Sequence, residues 1–289
     1  MTNTNLIQVL MMSRDVLKDK KRIVVKIGSS SITHAESGML NLRKIEMLVR
    51  VLCELKNQGR DVILVSSGAI AAGRQAAGFD HKPERLAEKQ ALAAIGQAHL
   101  MMTYQRLFSD YSHRTAQILL TKFTLTNKES LENASNTMEE LFSLGCIPVV
   151  NENDVIATHE ILFGDNDRLS ALVASLVHAD LLILMSDIDG LYTGDPRKNK
   201  YVGLIHEVDS IDDELLDMAG GAGSDVGTGG MSAKLAAARI ATASGIDMVI
   251  ANADHIRNIY KILDGEEIGT WFHANPDPDF KVEEAARLF

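Results

Sequence analysis

The stretch Arg22-Ile23-Val24-Val25-Lys26-Ile27-Gly28-Ser29-Ser30-Ser31 decides the fold class. Its first six residues form a short β-rich run, and small residues follow at once, so a strand passes directly into a loop. Similar apolar runs recur at Val62–Val65, Ala116–Leu120, Ile147–Val150, Leu181–Met185 and Asp247–Ile250. None alternates polar with apolar, which is the pattern of strands covered on both faces. Helical segments fall between them. Leu42–Gln58 places Ile45, Leu48, Val49, Leu52 and Leu55 on one face, with Asn41 as cap and Gly59 behind. Glu84–Phe108, a segment capped by Asn127 and running to about Leu144 before Gly145, Arg168–Val177, Ser232–Ser244 and Ile256–Leu263 also read as helices. Strands alternating with helices specify an α/β fold around a mainly parallel sheet.

The 289 residues fit one large domain, with residues 1–21 as an N-terminal extension and 22–289 as the folded unit. With 46% hydrophobic and 24% charged residues the chain has an ordinary globular composition. Its net charge of −10 makes nucleic acid and anionic membrane poor partners. No signal peptide or membrane span is legible, so the expected location is the cytoplasm. Cys53 and Cys146 read as buried thiols, although the sequence leaves a disulfide open.

Chemistry concentrates in the loops that follow the strands, where open α/β sheets bind ligands. Lys26-Ile27-Gly28 puts a charge beside backbone amides that can face phosphate oxygens, but alone it reads as a plain turn. Ser66-Ser67-Gly68-Ala69 opens a helix with hydroxyls, a place for an anion. Two such loops in one topological position favour a shared site. Asn151-Glu152-Asn153-Asp154 and Gly164-Asp165-Asn166-Asp167 supply acids and amides suited to holding a substrate amine, orienting lysines or binding Mg²⁺ through water. Gly227-Thr228-Gly229-Gly230-Met231-Ser232-Ala233-Lys234 leads into an alanine-rich helix with a lysine one turn in. It is neither a Walker A loop nor G-x-G-x-x-G. Ser186-Asp187 leaves the fifth strand toward a turn able to hold a base and ribose. Protein-kinase signatures and a serine–histidine–acid set are lacking from the sequence.

Taken in order, KIGSSS, SSGAIAAG, VVNENDVIAT, FGDNDRLSALVA, SDIDGLYTGDPR and GTGGMSAK resemble the glutamate 5-kinases of the amino-acid kinase family, over about Arg22 to His273. The resemblance implies a three-layer αβα sandwich and phosphorylation of L-glutamate by ATP, the first step of proline synthesis. It implies that Lys26, Gly28, Ser186, Asp187 and the loop Gly227, Thr228, Gly229, Gly230, Met231, Ser232, Ala233 and Lys234 bind ATP. Ser67, Gly68, Asp154 and Asn166 would bind glutamate, Asp167 would orient Lys26 and Lys234, and Mg²⁺ would bridge phosphates. It further implies feedback by proline, hand-over to glutamate-5-semialdehyde dehydrogenase and a homo-oligomer. Many members carry a C-terminal PUA domain; this chain stops at Phe289, and Leu162 stands where some members have a basic residue. Sister kinases for N-acetylglutamate, aspartate or UMP, and a non-catalytic amino-acid sensor, remain alternatives at this point.

Overall fold

A computed structural model describes residues 13–156, 166–194, 196, 199, 201–213, 215–216 and 230–287. Its centre is an eight-stranded sheet of β1 (Arg22–Ile27), β2 (Asp61–Ser66), β3 (Arg114–Leu120), β4 (Cys146–Glu152), β5 (Leu181–Ser186), β8 (Glu207–Val208), β9 (Asp247–Asn252) and β10 (Thr270–Phe272). A separate two-stranded pair joins β6 (Leu191–Tyr192) to β7 (Leu204–Ile205). The large sheet runs β3-β4-β2-β1-β5-β9-β10-β8. Every neighbouring pair is parallel except β9 with β10.

Two apolar cores explain why the strand runs do not alternate. On one face Val24, Ile63, Val150, Leu182 and Ile250 pack with the helices Asn166–Leu176 and Met231–Ala243. On the other, Ile23, Val25, Leu64, Val149 and Ile183 pack with Leu42–Asn57, Leu86–Asp110 and Asn258–Leu263. Adjacent strand residues therefore enter different cores, and both must be apolar. This is the αβα sandwich with a mainly parallel sheet that the sequence leads one to expect. Local signals hold as well. The Asn41 and Asn127 side chains accept from the amides of Lys44 and Ser130, and Gly59 and Gly145 follow their helices with positive φ.

The register aligns the strand ends that matter. Ile27 of β1 lies between Ser66 of β2 and Met185 of β5, while Glu152 pairs with Leu120. The loops after β1, β2, β4 and β5 consequently open on one edge of the sheet.

Three features depart from the sequence expectation. Packing reaches back before Arg22: Arg14–Asp19 forms a 3-10 turn with Arg14 and Leu17 buried. The Arg14 guanidinium donates to the carbonyls of His206, Ile268, Glu266 and Gly269. The helix expected from Arg168 begins at Asn166, so Asn166 and Asp167 stand in its first turn. Thr270–Phe272 adds an antiparallel strand, held by the Trp271 indole donating to Asp247 Oδ1 at 3.0 Å. Cys53 and Cys146 are both free and buried, and burial pushes the Cys53 thiol up to about 12. Among the described residues no helix is long and apolar enough to cross a membrane.

The helix Ala69–Ala76, which carries the Ser67 loop, lies against Leu86–Asp110 through Gly73 and Gly96. A Cβ at Gly96 would land on the Ala69 carbonyl oxygen. Gly96→Ala is therefore expected to destabilise the fold by about 1–3 kcal/mol. It should also lower activity by shifting the Ser67 loop, as read by urea denaturation and turnover on the same preparation.

Candidate active site

Lys26 occupies the carboxyl end of β1, and Lys234 lies one turn into the helix Met231–Ala243. Both are buried, and both close on Asp167, which is only 1% exposed. Lys234 Nζ donates to Asp167 Oδ2 at 2.9 Å, and Lys26 Nζ meets Oδ1. Burial alone would raise the Asp167 carboxyl. The positive charges of Lys26 and Lys234, and the hydrogen bonds from both, outweigh burial and hold it below the ordinary carboxylate value. Two ammonium groups around one carboxylate leave a net positive charge at the sheet edge, which suits a polyphosphate.

Gly28 lies beside this cluster, since a Cβ there would come 3.6 Å from Lys26 Nζ. It starts the four-residue helix Ser29–Ile32. Gly230 starts the lysine-bearing helix in extended backbone, with Met231, Ser232 and Ala233 in its first turn. Gly227, Thr228, Gly229, Gly164, Asp165 and Leu162 lie outside the described residues.

A second group forms beside the first. Asn166 Nδ2 donates to Ser67 Oγ at 2.9 Å and to Asn151 Oδ1 at 2.8 Å. Asn151 Nδ2 donates to Gln97 Oε1 at 3.0 Å, and Gln97 Nε2 to Gln117 Oε1 at 3.2 Å. This polar chain joins the loops after β2 and β4 to the helix Leu86–Asp110 and to β3. Gly68 makes the Ser67 turn possible: its φ is +106°, and a Cβ would come 2.8 Å from Ile32 Cδ1. Behind Ser67, the Ser66 hydroxyl bonds the buried Tyr104 hydroxyl at 2.8 Å.

Asp154 stands apart from that chain, on the wall of a cavity of about 250 Å³ shared with Gln97, Gln117 and Glu152. Burial pushes Asp154 up to about 6, and burial with the Asp154 charge pushes Glu152 up to about 7. At the end of β5, Ser186 Oγ donates to Asp187 Oδ1 at 3.1 Å. The turn beyond it is braced by Asp189, which accepts from Asn252 and from the Tyr192 hydroxyl, each at 2.9 Å.

The structure thus joins Lys26, Asp167 and Lys234 directly, and joins Ser67 to Asn166. It adds Asn151, Gln97 and Gln117, which sequence reasoning did not assign. The sequence signals available were an amide side chain between the small residues Gly96 and Ala98 for Gln97, and a place directly after the apolar run Ile147–Val150 for Asn151.

The chain matches the family model described as "Amino acid kinase family" over residues 21–252. The chain belongs to this family. Similar amino acid kinase family proteins include the Glutamate 5-kinase of Carboxydothermus hydrogenoformans, 53% identical over 270 residues, 93% of this chain and 72% of that one. That of Clostridium perfringens is 51% identical over 265 residues, 90% of this chain and 98% of that one. Among solved structures, carbamate kinase from Giardia lamblia bound to AMP-PNP superposes with a TM-score of 0.63 at 15% identity, covering 89% of this chain and 100% of that one. UMP kinase from Bacillus anthracis gives 0.58 at 14% identity, covering 88% and 96%. These structural likenesses concern the amino acid kinase fold.

The raised Glu152 carboxyl has a consequence for stability. Its proton is held more tightly in the folded chain than in the unfolded one, where the carboxyl titrates near 4.5. Stability is therefore expected to fall as pH rises from about 4.5 through about 7, by on the order of 3 kcal/mol. Urea denaturation across this range should show the slope in the wild type and a flatter one in Glu152→Gln.

Proposed function

We propose that the chain transfers the γ-phosphoryl group of ATP to the side-chain carboxylate of L-glutamate. The products are L-glutamyl 5-phosphate and ADP, and the reaction is the first step of proline biosynthesis. The observation that carries this reading is the juxtaposition of the Lys26–Asp167–Lys234 cluster with the Ser67–Asn166–Asn151 chain. One group suits phosphate and the other a small polar acid. Relatives at about half identity over most of the chain, named Glutamate 5-kinase, support the choice of acid.

The chemistry asks for alignment and charge compensation. A glutamate side chain is ionised at neutral pH and is already a nucleophile, so no general base is needed. One of its oxygens attacks the γ-phosphorus while the bond from that phosphorus to the bridging oxygen breaks, and ADP leaves with the electron pair. Lys26 and Lys234 offset the negative charge on the transferring group. Asp167 does not take a proton; it fixes where the two ammonium groups point. Ser186 and Asp187 contact the nucleoside, with amides near Gly28 and Gly230 on the phosphates. Ser67, Gly68, Asn166 and Asp154 hold the acceptor.

Among the described residues no three or more His, Cys, Asp or Glu side chains gather into a metal cage. In this reading Mg²⁺ arrives with ATP and would neutralise charge on the phosphate oxygens. In this reading the enzyme is cytoplasmic and homo-oligomeric, proline restrains it, and a reductase of the glutamate-5-semialdehyde dehydrogenase type consumes the labile acyl phosphate.

Hydroxylamine trapping with ATP, Mg²⁺ and each acid tests the reading. Hydroxamate should form with glutamate, matched by ADP, and far less with aspartate or N-acetylglutamate. No hydroxamate with glutamate would overturn it. Lys26→Ala and Lys234→Ala should each lower kcat by about 10²-fold or more while glutamate KM changes little. Saturating proline should suppress turnover, and undiminished activity would remove the regulatory part of the proposal.

A further inference from the structure

The Tyr104 hydroxyl is polar, fully buried and so far without a task. It belongs to the apolar core shared by Leu64, Leu100 and Phe108. A phenylalanine would fill the same space without burying an oxygen, and a buried hydroxyl costs free energy unless it is bonded. Its partner is the Ser66 hydroxyl at 2.8 Å, on the last residue of β2. Ser66 Oγ in turn donates to the Ser67 carbonyl at 3.0 Å. A serine hydroxyl has one proton, and a carbonyl can only accept. With the Ser66 proton committed to Ser67, Tyr104 must donate to Ser66. Burial pushes the Tyr104 hydroxyl up to about 12, so it keeps the proton it donates. The bonds therefore run in one direction, from Tyr104 to Ser66 to the Ser67 carbonyl.

That carbonyl belongs to the peptide entering Gly68. A glycine accepts φ of either sign, so the peptide before it can turn over at little cost and needs a tie from outside. The other ties of this loop do not supply one: the Ser67 amide donates to the Ile27 carbonyl, and the Ser67 hydroxyl accepts from Asn166. Only the carbonyl bond acts on the peptide after Ser67. Because a trans peptide is planar, a carbonyl held toward Ser66 turns the Gly68 N–H the opposite way. Among the described residues that N–H has no backbone acceptor, and it stands at the N-terminal end of the helix Ala69–Ala76, where an anion is favoured. We propose that Tyr104 is a positioning residue for the phosphoryl acceptor: through Ser66 it fixes the Ser67–Gly68 peptide so that the Gly68 N–H meets a carboxylate oxygen of the amino acid. The proposal rests on the function given above. The same helix also carries Gln97, about two turns earlier, to Asn151. One helix thereby steadies the loops after β2 and β4 together.

Steady-state kinetics of Tyr104→Phe, Ser66→Ala and the double variant test the proposal. Tyr104→Phe keeps the ring beside Phe108 and removes only the hydroxyl. It should raise glutamate KM by about three- to tenfold, while kcat and ATP KM stay near the wild type. Ser66→Ala should raise glutamate KM at least as much. Both act on one carbonyl, so the double variant should be no worse than Ser66→Ala; effects that multiply would overturn the proposal. A Tyr104→Phe enzyme with wild-type glutamate KM overturns it too. So does one in which kcat alone falls, which is what a merely structural tyrosine would give. If the variants do not fold, the wild type decides. Added glutamate should move the Gly68 amide proton resonance downfield, as a new hydrogen bond does, and an unmoved resonance overturns the proposal. A wild type that phosphorylates glutamate, with variants that keep its KM, loses only the role of Tyr104. A wild type that does not phosphorylate glutamate loses that role and the kinase reading together.

Discussion

Asp167 is the carboxylate on which two buried ammonium groups converge, and the site is organised around that contact. Lys26 comes from a central strand and Lys234 from a helix far along the chain. Neither is placed by its own neighbours alone. A lysine has four rotatable bonds and a strong preference for water, so holding two of them buried needs a fixed counter-charge. Asp167 supplies it from the first turn of a helix packed between the two. That helix in turn is fixed by the sheet, because its buried residues enter the same core as Val24, Leu182 and Ile250. The parallel sheet thereby sets the spacing of the two charges.

The same helix turn carries Asn166, one residue earlier, into the polar chain with Ser67 and Asn151. In the proposed reading, adjacent residues of one turn serve the phosphate side and the acceptor side. In that reading the turn keeps the two halves of the reaction aligned. The polar chain then extends through Gln97 to the wall of the acidic cavity.

Much of this was legible in the sequence because the signals were local. Buried parallel strands show as unbroken apolar runs, and Asn41, Asn127, Gly59 and Gly145 mark helix ends by their own backbone chemistry. The loops at strand ends could be located for the same reason. What stayed hidden depends on partners distant in the chain. Arg14 sits in a polar stretch, and its acceptors are carbonyls near residues 206 and 266–269. Thr270–Phe272 is three residues long, too short for a period to show. The start of the Asn166 helix is masked because its first two residues are polar and face inward toward partners, not outward. Within Asn151-Glu152-Asn153-Asp154 the acidic character was plain, but Asn151 joins the polar chain while Glu152 and Asp154 line the cavity.

The claim at the centre is that Asp167 acts by holding Lys26 and Lys234 in position. Steady-state kinetics of folded Asp167→Asn, with ATP and glutamate both varied, test it most directly. The account predicts a fall in kcat at least as large as that from losing either lysine, with glutamate KM little changed. A variant that turns over at the wild-type rate would contradict it.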